Sequence, residues 1–232
     1  MRKKAAITRV LTATAALCLC SSAFSEDSGF LDDYSKLELI PGTDARVYHA
    51  PGAWENFKNY KAVMIDQPEF IIAADSEYRG VKPDEAKAVA DMMRQKMSEA
   101  VSKTMPVVDR AGPGVLYIGI AASNVHLKKK KRGLLGYTPA GFVITSAAAA
   151  TEEMQQKIIL QDMKLEIKVL DSQTLELLGA AVDQINPNAK KPGDSWANEH
   201  TVMTYWSERL HCRIENSGKP RDQWQDCETE LP

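Results

Sequence analysis

The chain has 232 residues, of which 44% are hydrophobic and 26% charged, and its formal net charge is -2. This composition is typical of a folded globular protein, and 13 Gly and 11 Pro exclude collagen-like and low-complexity classes. The charge excludes a generally basic nucleic-acid-binding protein, and 4 Cys are too few for a disulfide-dense small scaffold.

Residues 1–25 have the pattern of a secretory signal peptide. Four basic residues among the first nine precede an apolar stretch at 10–20, and Ala23 and Ser25 are the small residues of a cleavage site before Glu26. The apolar stretch is shorter than the roughly 20 residues of a transmembrane span. We therefore predict export to the periplasm with cleavage after Ser25.

A lipid anchor is the alternative, because Cys18 and Cys20 lie where a bacterial lipoprotein cysteine is found. Lipoprotein processing requires a small residue before that cysteine, whereas Leu17 and Leu19 are large. We expect a soluble mature chain. The alternative is a membrane-associated lipoprotein that is anchored at Cys20.

Cleavage changes both the charge and the cysteine count. Loss of the four basic residues takes the formal charge from -2 to -6, and only Cys212 and Cys227 remain. In an oxidising compartment this pair can close a loop of about 15 residues, worth roughly 3 kcal/mol. Two free thiols are the alternative. A zinc site formed by His211, Cys212 and Cys227 is weaker still, because no CxxC or HxxxH spacing accompanies these residues.

Residues 26–59 are broken by Pro-Gly pairs, which predicts an extended N-terminal arm packed along the surface of a domain. Strands are predicted at 60–66 and 69–73. A helix is predicted from Pro83, because acidic residues occupy its first turn and apolar residues recur at helical spacing up to Val101.

The next segments predict a short strand at 105–109, a turn at 112–114 and a central strand at 115–126 that is apolar on both faces. A helix is considered at about 146–160. Residues 163–169 alternate between apolar and charged side chains, which predicts a half-exposed strand.

The turn at 171–174 leads into a returning strand at 175–182, so these segments predict a hairpin. A last helix is predicted to begin at Asp194 or Ser195 and to run through Leu210. We therefore predict a single α+β domain at 60–214, with a mixed or antiparallel sheet packed by two main helices. Residues 215–232 are predicted to form a disulfide-tethered tail.

One charge run is conspicuous: Lys128, Lys129, Lys130, Lys131 and Arg132. It precedes residues 133–151, which carry no charge, so the pair of segments could contact an anionic membrane or a partner protein. The alternative is a solvated loop that leads into a buried connection. Nucleic acid is not an expected partner, since no interleaved aromatic pattern accompanies the run.

Catalytic motifs are absent from the sequence: there is no GxSxG, HExxH, Walker loop or GxGxxG after a strand. Asp194, Ser195 and His200 could be combined as the catalytic residues of a hydrolase, but their spacing matches no known template. We expect no catalytic residue, cofactor or metal, with a hydrolase that uses His200 as the enzyme alternative.

The chain after residue 25 resembles a known family. The most specific piece is the phrase SGFLDDYSKL at 28–37, and the agreement continues at Arg46-Val47-Tyr48, Met64-Ile65-Asp66, Pro83-Asp84-Glu85-Ala86, Pro106-Val107-Val108-Asp109 and Leu170-Asp171-Ser172-Gln173-Thr174. On these residues the chain resembles the bacterial envelope family called domain of unknown function 3313. The resemblance implies a Gram-negative envelope protein, often a lipoprotein, and it supplies neither an activity nor site residues.

Together these features predict a periplasmic envelope protein that is a non-catalytic binding protein or a structural accessory. Its expected partner is an unidentified envelope protein or the membrane surface.

Overall fold

The computed structural model describes residues 27–129, 158–159, 163–184 and 199–227. Eight strands among these residues form one sheet: β1 (Glu38–Leu39), β2 (Arg46–His49), β3 (Ala62–Ile65), β4 (Glu69–Ile72), β5 (Val115–Leu127), β6 (Ile158–Ile159), β7 (Lys164–Asp171) and β8 (Leu177–Gln184). The helices are α1 (Ala53–Phe57), α2 (Pro83–Val101) and α3 (Glu199–Ser217). Short 3-10 turns lie at Tyr34–Lys36 and Arg221–Gln223.

The sheet is mixed and centred on the long strand β5. Its order is β1-β2-β8-β7-β5-β3, with β4 and β6 also paired to β5. Strands β3 and β4 run parallel to β5, whereas the other pairs are antiparallel. The predicted class, a single α+β domain with a mixed sheet and two main helices, is confirmed.

Helices α2 and α3 pack against each other and cover one face of the sheet, which we call the helix face. Helix α2 begins at Pro83, as predicted, and the backbone N–H of Lys82 donates to the buried Glu85 carboxylate at 3.3 Å. The core under both helices is built from aliphatic, methionine and tryptophan side chains: Val63, Val89, Met93, Met97, Leu116, Ile118, Leu165, Ile167, Trp206 and Leu210.

The N-terminal arm contributes more than surface packing. Strand β2 pairs with β8 along its whole length, so the arm extends the sheet. Residues 28–37 then cross the opposite face, which we call the arm face, where Phe30 and Leu31 pack on Ala121, Ala180 and Val182.

Strand β7 corrects the prediction of a half-exposed strand, because Lys164 and Glu166 are buried at 7% and 1% exposure. The physical reason is the arm: the Tyr34 hydroxyl donates to Glu166 at 2.5 Å, and the Ser123 hydroxyl donates to the other carboxylate oxygen. The buried Glu166 carboxylate thus receives one hydrogen bond from the distant arm and one from the neighbouring strand β5.

Lys168, on the same face, is held by Phe30. Its ammonium group lies 4.2 Å from the Phe30 ring centroid and donates to the Phe30 carbonyl at 3.3 Å. The side chain crosses Gly119 so closely that a Cβ there would lie 2.9 Å from Lys168 Cε. Glycine at this position therefore lets the arm seal the face.

Two smaller expectations are also corrected. Of the strand predicted at 105–109, only Val107 pairs, as an isolated bridge to Val63. Residues 158–159 form β6 against β5, so a helix considered at 146–160 does not extend over them, and the rest of that segment lies outside the described residues.

Candidate functional site

A cavity of about 260 Å³ lies between the helix face of the sheet and α3. Strands β2, β5, β7 and β8 form its floor, and α1, α3 and residues 224–227 form its walls. Its apolar lining consists of Ile40, Val47, Phe57, Leu116, Ile118, Ile167, Val169, Leu178, Leu210 and Ile214. An apolar cavity with a few polar groups is the usual form of a small-molecule site.

Strand alternation makes the floor apolar. Leu116 and Ile118 of β5 are two residues apart and therefore point to the same face, as do Ile167 and Val169 of β7. The exposed lining residues His49, Gln225 and Asp226 mark the side where the cavity meets solvent.

The Cys212–Cys227 disulfide holds the segment that closes the cavity. The predicted bond is present, with the two Cα atoms 5.7 Å apart, and Cys227 itself lines the cavity. The Asn216 side chain donates to the Gln225 carbonyl at 2.8 Å and accepts from the Gln225 N–H at 2.9 Å. These contacts fix residues 225–227 against the end of α3.

A buried charged cluster borders the cavity at α3. Arg209 Nη1 lies 2.5 Å from Asp183 Oδ2, and both side chains are 3% exposed. Arg209 also donates to the Tyr205 hydroxyl at 2.5 Å and to the Cys227 carbonyl at 3.2 Å. Arg209 thus connects β8, α3 and the closing segment.

Burial sets the electrostatics of this cluster. It raises the pKa of Asp183, against the opposing effect of the positive charges on Arg209 and Arg213. Arg213 lines the cavity, and burial lowers its pKa to about 10.

The structure does not bring the predicted site residues together. Cys227 lines the cavity and is bonded to Cys212, whereas Lys128 and Lys129 are exposed at the end of β5. His200 lies in the first turn of α3, and the structure describes its backbone but not its side chain. The other predicted positions also lie outside the described residues: Cys18, Cys20, Ser25, Lys130, Lys131, Arg132 and 133–151.

Sequence reasoning missed the cavity and its arginine. One signal was available, because Arg213 follows Trp206 by seven residues and Leu210 by three, which places a cation on the apolar face of a helix. Nothing in the sequence pairs that position with β2 or β8, so the cavity itself required the fold.

Two features are absent from the described residues: a helix suited to cross a membrane and a cluster of metal-binding side chains. Within these ranges no helix combines the length and apolar character that a membrane crossing needs. The same part of the chain holds no group of three or more His, Cys, Asp or Glu side chains placed to bind a metal.

Comparison with known proteins gives one family and distant structures. The model described as "Protein of unknown function (DUF3313)" matches residues 26–210, while no curated protein matches. The chain is similar to a PelC dodecamer from Paraburkholderia phytofirmans at 8% identity and TM-score 0.36, covering 72% of this chain and 94% of that one.

The chain is also similar to a solved structure from Helicobacter pylori, a homologue of neuraminyllactose-binding hemagglutinin. The identity is 9% and the TM-score 0.29, with 70% of this chain and 87% of that one covered. Similarities at these TM-scores carry no conclusion about function.

Proposed function

The chain belongs to the family of unknown function DUF3313, and from that premise we propose that it is a non-catalytic binding protein of the bacterial cell envelope whose cavity holds an apolar group of a ligand. The observation that carries the proposal is the apolar cavity of about 260 Å³ between the sheet and α3. Its floor of aliphatic side chains removes a ligand from water but transfers no protons.

The size of the cavity restricts the ligand. Protein cores are close-packed, and an apolar cavity of ~150 Å³ already binds benzene. Sites for drug-sized ligands measure ~300–1,000 Å³. A cavity of about 260 Å³ therefore suits a short aliphatic chain or one aromatic group.

The test is binding of the uncharged fluorescent dye N-phenyl-1-naphthylamine to wild-type protein and to Leu178→Trp. Leu178 lines the cavity from β8, so the larger side chain fills the space and should weaken binding at least ~10-fold. Leu177→Trp is the matched control, because this neighbouring residue packs on the arm face.

Circular dichroism and unfolding midpoints must first show that both variants are folded. Equal dye affinity of the two folded variants, or no saturable binding to the wild type, would contradict the proposed site.

The periplasmic location is part of the proposal. The pattern of residues 1–25 supports it, and a disulfide between Cys212 and Cys227 suits an oxidising compartment. Mass spectrometry of the protein from cells should give a mature N-terminus at Glu26. A diacylglycerol-modified Cys20 would instead establish the lipoprotein alternative.

A membrane or partner contact through residues 128–132 is a second proposal. It is supported by the exposure of Lys128 and Lys129 at the end of β5, where basic side chains are accessible to anionic lipid. Co-sedimentation with anionic vesicles should be strong at low salt and lost at high salt. No binding at low salt would exclude the membrane as the partner.

A further inference from the structure

Resting on the proposed function, we infer that the Cys212–Cys227 disulfide is a thiol-exchange site at which a dithiol reductant opens the cavity and lowers its affinity for ligand. The carrying observation is that the two bonded cysteines have different surroundings. Cys212 is half-buried on α3, whereas Cys227 is only 5% exposed and lines the cavity. The Cys212 side of the bond is therefore the more accessible to an attacking thiolate, and access is one determinant of the exchange rate.

The side chain of Asn216 favours Cys227 as the leaving group. Its amide nitrogen Nδ2 donates to Cys227 Sγ at 3.1 Å and to the Gln225 carbonyl at 2.8 Å. The bond to sulfur becomes stronger when that sulfur turns into a thiolate, because hydrogen bonds to charged acceptors are stronger than neutral ones. A stabilised thiolate leaves faster in disulfide exchange. The structure thus favours attack at Cys212 with departure of Cys227.

The exchange takes place in two steps with a protein or small-molecule dithiol as the reductant. Its first thiolate attacks Cys212 Sγ, the protein disulfide breaks, and the electron pair leaves on Cys227 Sγ. The second thiol of the reductant then attacks its own sulfur in the mixed disulfide, and the electron pair leaves on Cys212 Sγ. The dithiol is oxidised to a disulfide, and its two protons end on the two reduced cysteines.

The two sides of the bond differ in how firmly the fold holds them. Cys212 lies within α3, which packs against α2. Residues 225–227 belong to no helix or strand, and hydrogen bonds from Asn216 and Arg209 hold them in addition to the disulfide. Because Gln225 is exposed, water competes for its hydrogen bonds once the disulfide is broken. Reduction should therefore loosen the wall of the cavity rather than α3.

The first measurement is dye affinity as a function of redox state. Oxidised wild-type protein is equilibrated with dithiothreitol at graded ratios to its oxidised form, and the reduced fraction is determined by alkylation and mass spectrometry. Dye affinity should fall about 10-fold as the reduced fraction rises, and it should recover on reoxidation. The double variant Cys212→Ser with Cys227→Ser is the control for the reductant itself and should not respond to dithiothreitol.

The second measurement identifies the sulfur that is attacked. A short pulse of glutathione, stopped with acid, traps the mixed disulfide, and peptide mapping should find glutathione on Cys212. Asn216→Asp keeps an acceptor for the Gln225 N–H but replaces the donor to sulfur with a negative charge, so reduction should be about 10-fold slower. Asn59→Asp, at an exposed position after α1, is the charge-matched control and should react like wild type.

Glutathione on Cys227, or equal reduction rates in Asn216→Asp and Asn59→Asp, would overturn the inference. Equal dye affinity of oxidised and reduced protein would overturn it as well. Circular dichroism follows the fold throughout, and global unfolding on reduction would also contradict the inference, because the disulfide would then be a structural crosslink. Dye binding to oxidised protein and the effect of Leu178→Trp do not depend on these results, so failure here is distinct from failure of the proposed function.

Discussion

The two faces of the sheet are closed in different ways. On the arm face, residues 28–37 cover the sheet, and Tyr34 donates a hydrogen bond to the buried Glu166 carboxylate, which also accepts one from Ser123 of β5. Lys168 packs over Gly119 against Phe30. On the helix face, a cavity of about 260 Å³ remains between the sheet and α3. The Cys212–Cys227 disulfide and the Arg209 contact with the Cys227 carbonyl hold residues 225–227 at the wall of this cavity.

This difference separates stability from binding. A close-packed interface with hydrogen-bonded polar groups stabilises the folded state. The side chains around an apolar cavity instead lack van der Waals contacts, and a bound ligand can supply these contacts. We therefore predict that changes on the arm face alter the free energy of unfolding without altering ligand affinity. Changes at the closing segment of the helix face should alter both.

The largest effect is expected for Glu166→Ala on the arm face. The change removes the acceptor of the Tyr34 and Ser123 hydroxyls and a negative charge that acts on the buried Lys164. We expect a loss of about 3–4 kcal/mol in urea unfolding, since buried polar groups lose their partner. The exposed Glu176→Ala should change stability by less than about 0.5 kcal/mol.

Dye affinity, measured on the folded fraction of Glu166→Ala, should equal that of the wild type. A large loss of affinity in this variant would show that the two faces are not independent.

Removal of the disulfide comes next in size. The double variant Cys212→Ser with Cys227→Ser releases a closure of 15 residues and should lose about 3 kcal/mol of stability. Because Cys227 lines the cavity, dye affinity should fall as well, in contrast to Glu166→Ala. Parallel unfolding and dye titrations check both parts; unchanged affinity would mean that the contacts of Asn216 and Arg209 suffice to close the cavity.

The smallest effect is expected at the turn between β7 and β8. The Asp171 carboxylate accepts from the backbone N–H groups of Thr174 and Gln173 at 2.8 Å each, and these bonds lower its pKa. A lowered pKa in the folded state gives stability that is present above the unfolded value of about 3.9 and is lost as pH falls through the folded value.

Asp171→Asn should therefore be less stable than wild type at pH 7, and the gap should close as the pH falls through the acid range. Unfolding curves at a series of pH values measure this gap, and dye affinity at pH 7 should not change. A gap that widens toward low pH would contradict the assignment of the lowered pKa.

Local patterns predicted most of the elements. The helix start at Pro83, the apolar run of β5, the hairpin of β7 and β8 and the cysteine pair all depend on nearby residues, and each is present. The family resemblance was likewise carried by short phrases, and the family match confirms it.

The burial of polar residues could not be predicted in the same way. The alternating pattern predicts that Glu166 is exposed. Its burial depends on Tyr34, which lies 132 residues away in the sequence. The cavity is likewise formed by β2, β8 and the end of α3, which are remote from one another in sequence. Such long-range contacts leave no periodic signal.

An aliphatic ligand should bind on the helix face and leave the arm face unchanged. Methyl NMR during a titration with octanoate reads both faces in one spectrum through the isoleucine δ1 signals. We predict saturable shifts for Ile118, Ile167 and Ile214, which line the cavity, and none for Ile71, which packs on the arm face. Shifts at Ile71 with unchanged signals from the three cavity residues would contradict it.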